Sequence, residues 1–224
     1  MGKTLFRRLT VKLTVIVASL ALVAVVAHAD SGSSQAANVT VNVGNFWFCN
    51  SSFQNGVCPT TVKVADTVTW NWVVSFPHNT TSCTDATFSN CNGQNWASPT
   101  QSSGTFVHQF NSTGTFYYQC TVHPTQMRGR IDVIQDSDDD GWSDAAETAI
   151  GTNPALKCGT NAWPADINND TFSDISDIIF LTNNFGAAAP PAPVRYNIAP
   201  DPPDAFIDIT DISRLTGLFG QRCS

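Results

Sequence analysis

Tyr117-Tyr118-Gln119-Cys120-Thr121-Val122-His123-Pro124-Thr125-Gln126-Met127-Arg128-Gly129-Arg130-Ile131 is the stretch on which the fold turns. An aromatic run ends at a cysteine, a histidine follows three residues later, and a methionine comes four residues after that. Beyond the first 29 residues the chain has one methionine and three histidines, so donors this scarce are gathered into one short loop. A thiolate, an imidazole and a thioether form a soft donor set of the kind that selects a transition metal. The loop supplies three ligands. A fourth must come from elsewhere, and Ser75-Phe76-Pro77-His78-Asn79 offers it, downstream of Trp70 and Trp72.

Working outward, apolar residues alternate through Val39, Val41 and Val43, then Val62, Val64, Val68, Trp70 and Trp72, then Phe106, His108 and Phe110, then Phe116, Tyr118 and Cys120. Spacing of two, rich in Val, Phe, Tyr and Trp and broken by Asn, Gly, Ser and Pro, predicts half-buried strands of an antiparallel sandwich. About 100 residues suffice for one such domain. Thr80 to Gly104 is polar and rich in Gly and Asn, and reads as a long connection. His108 alternates with Phe106 and Phe110 and lacks ligand spacing, so it is read as structural.

Residues 1–29 carry Lys3, Arg7, Arg8 and Lys12, then an apolar run from Leu13 to Ala27, then Ala27-His28-Ala29 before Asp30. That order predicts a cleaved secretory signal, with the export route left open by the Arg7-Arg8 pair. The apolar run is shorter than the roughly 20 residues of a membrane span, so no membrane span is expected after cleavage. Cleavage removes four of eleven basic residues and none of eighteen acidic ones, leaving a charge of −11. Nucleic acid is an unfavourable partner for such a surface. A secreted, extracellular, cell-surface or periplasmic location is oxidising, and seven cysteines cannot all pair within one chain. Cys49–Cys58 and Cys83–Cys91 are local pairings, and Cys158 and Cys223 bracket the last acidic region, which leaves Cys120 over. Six cysteines allow fifteen connectivities, and this scheme, with Cys158–Cys223 as its third bridge, keeps each bridge local or within one compositional region.

The Cys120 block with its upstream His78 resembles the cupredoxin family (plastocyanin, amicyanin, pseudoazurin): an upstream His, then Cys, two residues, His, a few residues, Met, then Gly and an apolar strand. The resemblance covers about residues 36 to 135. It implies a mainly β, Greek-key sandwich holding a type 1 (blue) copper that shuttles between Cu(I) and Cu(II). It names His78, Cys120, His123 and Met127 as copper ligands, with Asn79 and Thr121 bonding across the site. It implies single-electron transfer between redox protein partners and no enzymatic activity. Catalytic relatives add copper sites built from paired histidines, which His78, His108 and His123 cannot furnish. A copper storage or delivery protein, or a structural surface-assembly module with a cupredoxin fold, are the rivals.

Fourteen of the eighteen acids lie between Asp136 and Asp211, so the chain changes character near residue 135. Asp136, Asp138, Asp140, Asp144 and Glu147 sit at loop positions 1, 3, 5, 9 and 12, with Gly141 at the sharp turn and the Trp142 carbonyl at position 7. Oxygen ligands at that spacing suit Ca2+. With Gly151-Thr-Asn-Pro154 behind it, the segment resembles the calcium loop of thrombospondin type 3 repeats. Farther on, residues 172–186 are echoed by 206–220 at nine of fifteen positions. This is an internal duplication of an acidic loop and a short amphipathic helix. It resembles a type I dockerin, a calcium-loaded module that plugs into a cohesin-like domain. In the first copy Asp166, Asn168, Asp170, Asp174 and Asp177 are the ligands, with the carbonyl of Phe172, and Thr171 stands where Gly is usual. In the second, Asp204, Asp208 and Asp211 align, with the carbonyl of Phe206, and Asn197 takes position 1 only across extra residues. The expected division is a signal peptide over 1–29, a cupredoxin domain over 30–135, a calcium-loop linker over 136–156 and a small α-helical, dockerin-like module over 157–224.

Overall fold

The computed structural model describes residues 36–49 and 56–224. The signal peptide expected over 1–29 lies outside the described residues. No helix among them is long and apolar enough to cross a membrane.

Among the described residues eight strands come first: β1 (Asn38–Gly44), β2 (Trp47–Phe48), β3 (Val57–Lys63), β4 (Thr67–Trp72), β5 (Thr81–Ser82), β6 (Gly104–Gln109), β7 (Gly114–Gln119) and β8 (Arg128–Ile134). They form two four-stranded sheets, in the orders β2-β1-β4-β6 and β3-β8-β7-β5. The sheets are mixed, where the sequence predicted an antiparallel sandwich. β1 runs parallel to β4, with Val39 opposite Val68 and Val41 opposite Trp70, and β3 runs parallel to β8, with Val62 opposite Val133. The remaining pairs are antiparallel. Spacing of two fixes which face of a strand is buried and is silent about the direction of its neighbour.

The alternation does hold. Val41, Val43, Val62, Val68, Trp70, Tyr118, Ile131 and Val133 point between the sheets and are almost wholly buried. Each such side chain contributes roughly 1.5–3 kcal/mol. Trp70, Trp96 and Tyr118 stack in the centre at ring separations of 5.4–5.9 Å. Gly129 on β8 is required by this packing, because a Cβ there would overlap the phenol of Tyr118. His108 lies in the same aromatic stack, 5.2 Å from Trp96 and 4.9 Å from Phe110.

Three helices follow: α1 (Asp144–Ile150), α2 (Ile175–Thr182) and α3 (Ile209–Gly217). Ser143 caps α1, and Gly151 ends it in the left-handed conformation that a Cβ disfavours. The duplication predicts twin helices, and α2 and α3 share the same N-terminal caps. Asp174 and Asp177 form a capping box on α2, and Asp208 and Asp211 form the same box on α3. Their buried faces meet through Leu181 and Leu215 in a second core. Trp142 enters that core too, 1 % exposed, with its indole N–H donated to Ile198 O over 2.9 Å. The described residues therefore cluster as one compact unit. All three expected disulfides are present, and Cys120 is the free, buried cysteine.

Candidate metal centre

β7 delivers Cys120 to the end of the sandwich, and the chain turns immediately. His123 N donates to Cys120 O and Met127 N donates to His123 O, which coils the loop back on itself. Cys120 N then donates to Met127 O over 3.0 Å, closing it. Cys120 and Met127 are both fully buried in the sandwich core. The opposite wall is His78. Its backbone exchanges two hydrogen bonds with Gln101, and Trp72 Nε1 donates to its carbonyl over 3.2 Å. The long connection between β5 and β6 thus pins His78 in place.

These elements bring His78 Nδ1 and His123 Nδ1 to 3.0 Å, with Cys120 Sγ 3.8 Å from each. All three ligand atoms lie within 4.8 Å of one another. A triangle with those edges has a point about 2 Å from every corner, the range of metal bonds to imidazole and thiolate. Burial, and then the neighbouring His123, holds the His78 imidazole down to about 4, so it is neutral at neutral pH. A neutral imidazole is the ligating form. His78 Nε2 is buried without a partner, so nothing competes for this ring except the cluster. The donor set fits a soft first-row ion.

Asn79 and Thr121 lock the two walls together. Asn79 Nδ2 donates to Thr121 Oγ1 and Thr121 N donates to Asn79 Oδ1, while Asn79 N points at Cys120 Sγ over 3.5 Å. An amide aimed at a thiolate steadies its charge and orientation. Phe46, which no sequence pattern marks, lies edge-on to His123 with ring centroids 4.8 Å apart.

Among the described residues one other trio of this kind exists, Asp136, Asp138 and Asp140. Asp136 accepts from Asp139 N and Gly141 N, and Asp140 accepts from Trp142 N. Glu147 is completely buried, its Oε1 touched by Thr152 Oγ1 and its Oε2 without a partner. Burial first, then Asp140, Asp138 and Asp144, pushes Glu147 up to about 8, and burial raises Asp140 to about 7. Asp144 turns aside to bind Ser137 N and Oγ.

The first repeat copies this loop. Asp166 accepts from Asp170 N and Thr171 N, Asn168 from Asp170 N, and Asp170 from Phe172 N. Left-handed residues fall at the same two places, Asp139 and Gly141 in one loop, Asn169 and Thr171 in the other. Thr171 adopts φ 78° without the freedom of glycine, at roughly 1–3 kcal/mol. Asp177, fully buried, accepts from Ile167 N, Asn168 N and Asp174 N. In the second repeat Asp204 accepts from Phe206 N, and Asp211 from Ala199 N and Asp208 N. Asp174 and Asp208 serve as helix caps, while Phe172 and Phe206 are half exposed. Asn197 is buried with its Oδ1 unpartnered.

Residues 35–134 match the family described as copper binding proteins, plastocyanin/azurin family. No curated protein matches the chain. Among solved structures, a reduced-state amicyanin variant is 25% identical, over 43% of this chain and 81% of that one, with a TM-score of 0.32. A purple cupredoxin from Nitrosopumilus maritimus is 26% identical, over 42% of this chain and 98% of that one, with a TM-score of 0.35. An oxidized amicyanin variant is 26% identical over 42% and 80%, at 0.32. The match to the plastocyanin/azurin family thus falls on the sandwich and on the His78, Cys120 and His123 cluster together, and residues 35–134 resemble a copper-binding domain of that family.

Proposed function

We propose that this chain is an exported type 1 copper protein that passes single electrons between redox proteins, with His78, Cys120, His123 and Met127 as its copper ligands. The observation that carries the reading is the buried cysteine held 3.8 Å from two imidazoles inside the stretch that matches the copper family. Copper bound there would supply one-electron chemistry between Cu(I) and Cu(II). The protein's part is to hold one geometry for both states. Cys120, at the end of a strand, and His78, pinned by Gln101 and Trp72, cannot drift apart while Asn79 and Thr121 stay bonded. His78 is sealed from solvent and His123 is partly open, so His123 is the edge through which a partner's electron would enter.

In this reading the acidic loops take Ca2+ and the duplicated module tethers the carrier. The shared backbone of the loops at Asp136 and Asp166, and the unpartnered Glu147 Oε2, support calcium. Ile175, Ile179 and Phe185 on one repeat and Ile209 and Phe219 on the other are exposed apolar side chains of the kind a cohesin-like partner would cover. Voltammetry of the copper-loaded chain tests the carrier role. A reversible one-electron couple is expected. Copper that binds but cannot be cycled would favour storage or delivery instead.

A further inference from the structure

Phe46 occupies the tight turn between β1 and β2 at φ 63°, a conformation that an aromatic L-residue rarely adopts. Turns needing positive φ ordinarily carry Gly, Asn or Asp. The ring is 45% exposed, an unusual fate for phenylalanine in a turn that a polar residue would suit better. It is nonetheless held. Cys49 N donates to Asn42 O behind it, Val43 and Gly44 pair with Phe48 and Trp47, and the Cys49–Cys58 disulfide staples the arm to β3. Phe48, two residues on, is buried against Tyr118 at 4.9 Å. The scaffold therefore fixes where the Phe46 ring goes. It stands edge-to-face on both imidazoles, 4.8 Å and 83° from His123, 6.3 Å and 76° from His78.

We propose that Phe46 is a positioning residue of the copper centre: its ring sets the rotation of the His123 imidazole and keeps water off the solvent side of the His78–His123 pair. The inference rests on the copper reading above. Edge-to-face contact fixes ring planes as well as distances, so it constrains the direction of the imidazole lone pair. Cover by an apolar ring lowers the local dielectric, which disfavours the state of higher charge. Oxidised copper with one thiolate carries one more positive charge than reduced copper. Taking the ring away admits water, favours the oxidised state and lowers the reduction potential.

The test uses the copper-loaded full chain as wild type, Phe46→Gly, Phe46→Leu and Phe46→Tyr. Glycine suits φ 63°, so Phe46→Gly keeps the turn while deleting the ring. Thermal unfolding of that variant is expected to match or exceed the wild type, which separates loss of the ring from loss of the fold. In voltammetry, where the electrode supplies the single electron, Phe46→Gly is expected to shift the midpoint downward and to change the copper hyperfine pattern in electron paramagnetic resonance. Phe46→Leu should fall between, and Phe46→Tyr should restore both readings. A blue wild type whose Phe46→Gly variant keeps the same midpoint and spectrum overturns this inference alone, as does failure of Phe46→Tyr to restore them. A wild type without the intense visible band overturns the copper reading and takes this inference with it.

Discussion

Asn79 and Thr121 are joined by two hydrogen bonds running in opposite directions, from Asn79 Nδ2 to Thr121 Oγ1 over 2.7 Å and from Thr121 N to Asn79 Oδ1 over 2.8 Å. They lie on the two walls of the metal centre, one residue beyond His78 and one beyond Cys120. Asn79→Ala deletes both bonds and leaves a backbone N–H of the Cys loop without its partner. The expected loss is about 1–3 kcal/mol. Urea unfolding of the copper-free protein measures it, and a midpoint equal to wild type would show that the pair does not clamp the loop.

Met127 is buried in the core cluster that holds Cys120, and its carbonyl closes the loop. Met127→Leu preserves volume and removes the thioether. The blue band is expected to survive while the reduction potential moves, because a weak axial ligand tunes the potential without carrying the chromophore. An unmoved voltammetric midpoint would remove Met127 from the ligand set.

The pairing of Cys120 with His123 was legible in the sequence because rare residues carry it at short range, and an odd cysteine with a histidine three residues on needs no knowledge of the fold. His78 joins them in the structure from 42 residues away. The Cys49–Cys58 and Cys83–Cys91 pairs were legible for the same reason, short range. The direction of β1 against β4 was not, since alternation reports burial alone. Phe46 was invisible because its ring is aimed by a left-handed turn, a property of backbone rather than residue type. The Trp142 side chain fills the helical core, which nothing in an acidic loop pattern announces.

Ser143 ties the acidic loop to the second repeat. Its backbone N–H donates to Asp201 Oδ2 over 2.8 Å, and its hydroxyl bonds the other oxygen of the same carboxylate. Arg214 stacks on Trp142 at 4.1 Å and donates to Gly141 O. Stretches 136–147 and 197–217 should therefore unfold together. A double-mutant cycle of Ser143→Ala and Asp201→Ala is expected to give a coupling of about 1–3 kcal/mol, whereas additivity within about 0.5 kcal/mol would deny the tie.

Glu147 and Asp140, the most strongly raised carboxyls of the acidic loop, dominate the pH response expected of it in chelator. Burial raises Glu147 from its ordinary 4.5 to about 8 and Asp140 from 3.8 to about 7, so the folded state holds these protons more tightly than the unfolded chain. Their contribution is complete below the unfolded values and is lost as pH rises through 7 to 8. Chelated protein should melt at a lower temperature at pH 8 than at pH 5, and Ca2+ should reverse the drop at pH 8 by replacing the protons. Glu147→Gln should flatten the dependence. A melting temperature that climbs from pH 5 to 8 in chelator would contradict this account.

The most direct test of the central claim is the visible spectrum of the purified chain titrated with Cu(II), run beside Cys120→Ser and His108→Ala. The intense band belongs to the bond between copper and thiolate, and Cys120 is the one free thiol among the described residues. Wild type and His108→Ala are expected to turn blue and saturate at one equivalent, while Cys120→Ser stays colourless. A blue Cys120→Ser protein, or a colourless wild type, would contradict the assignment.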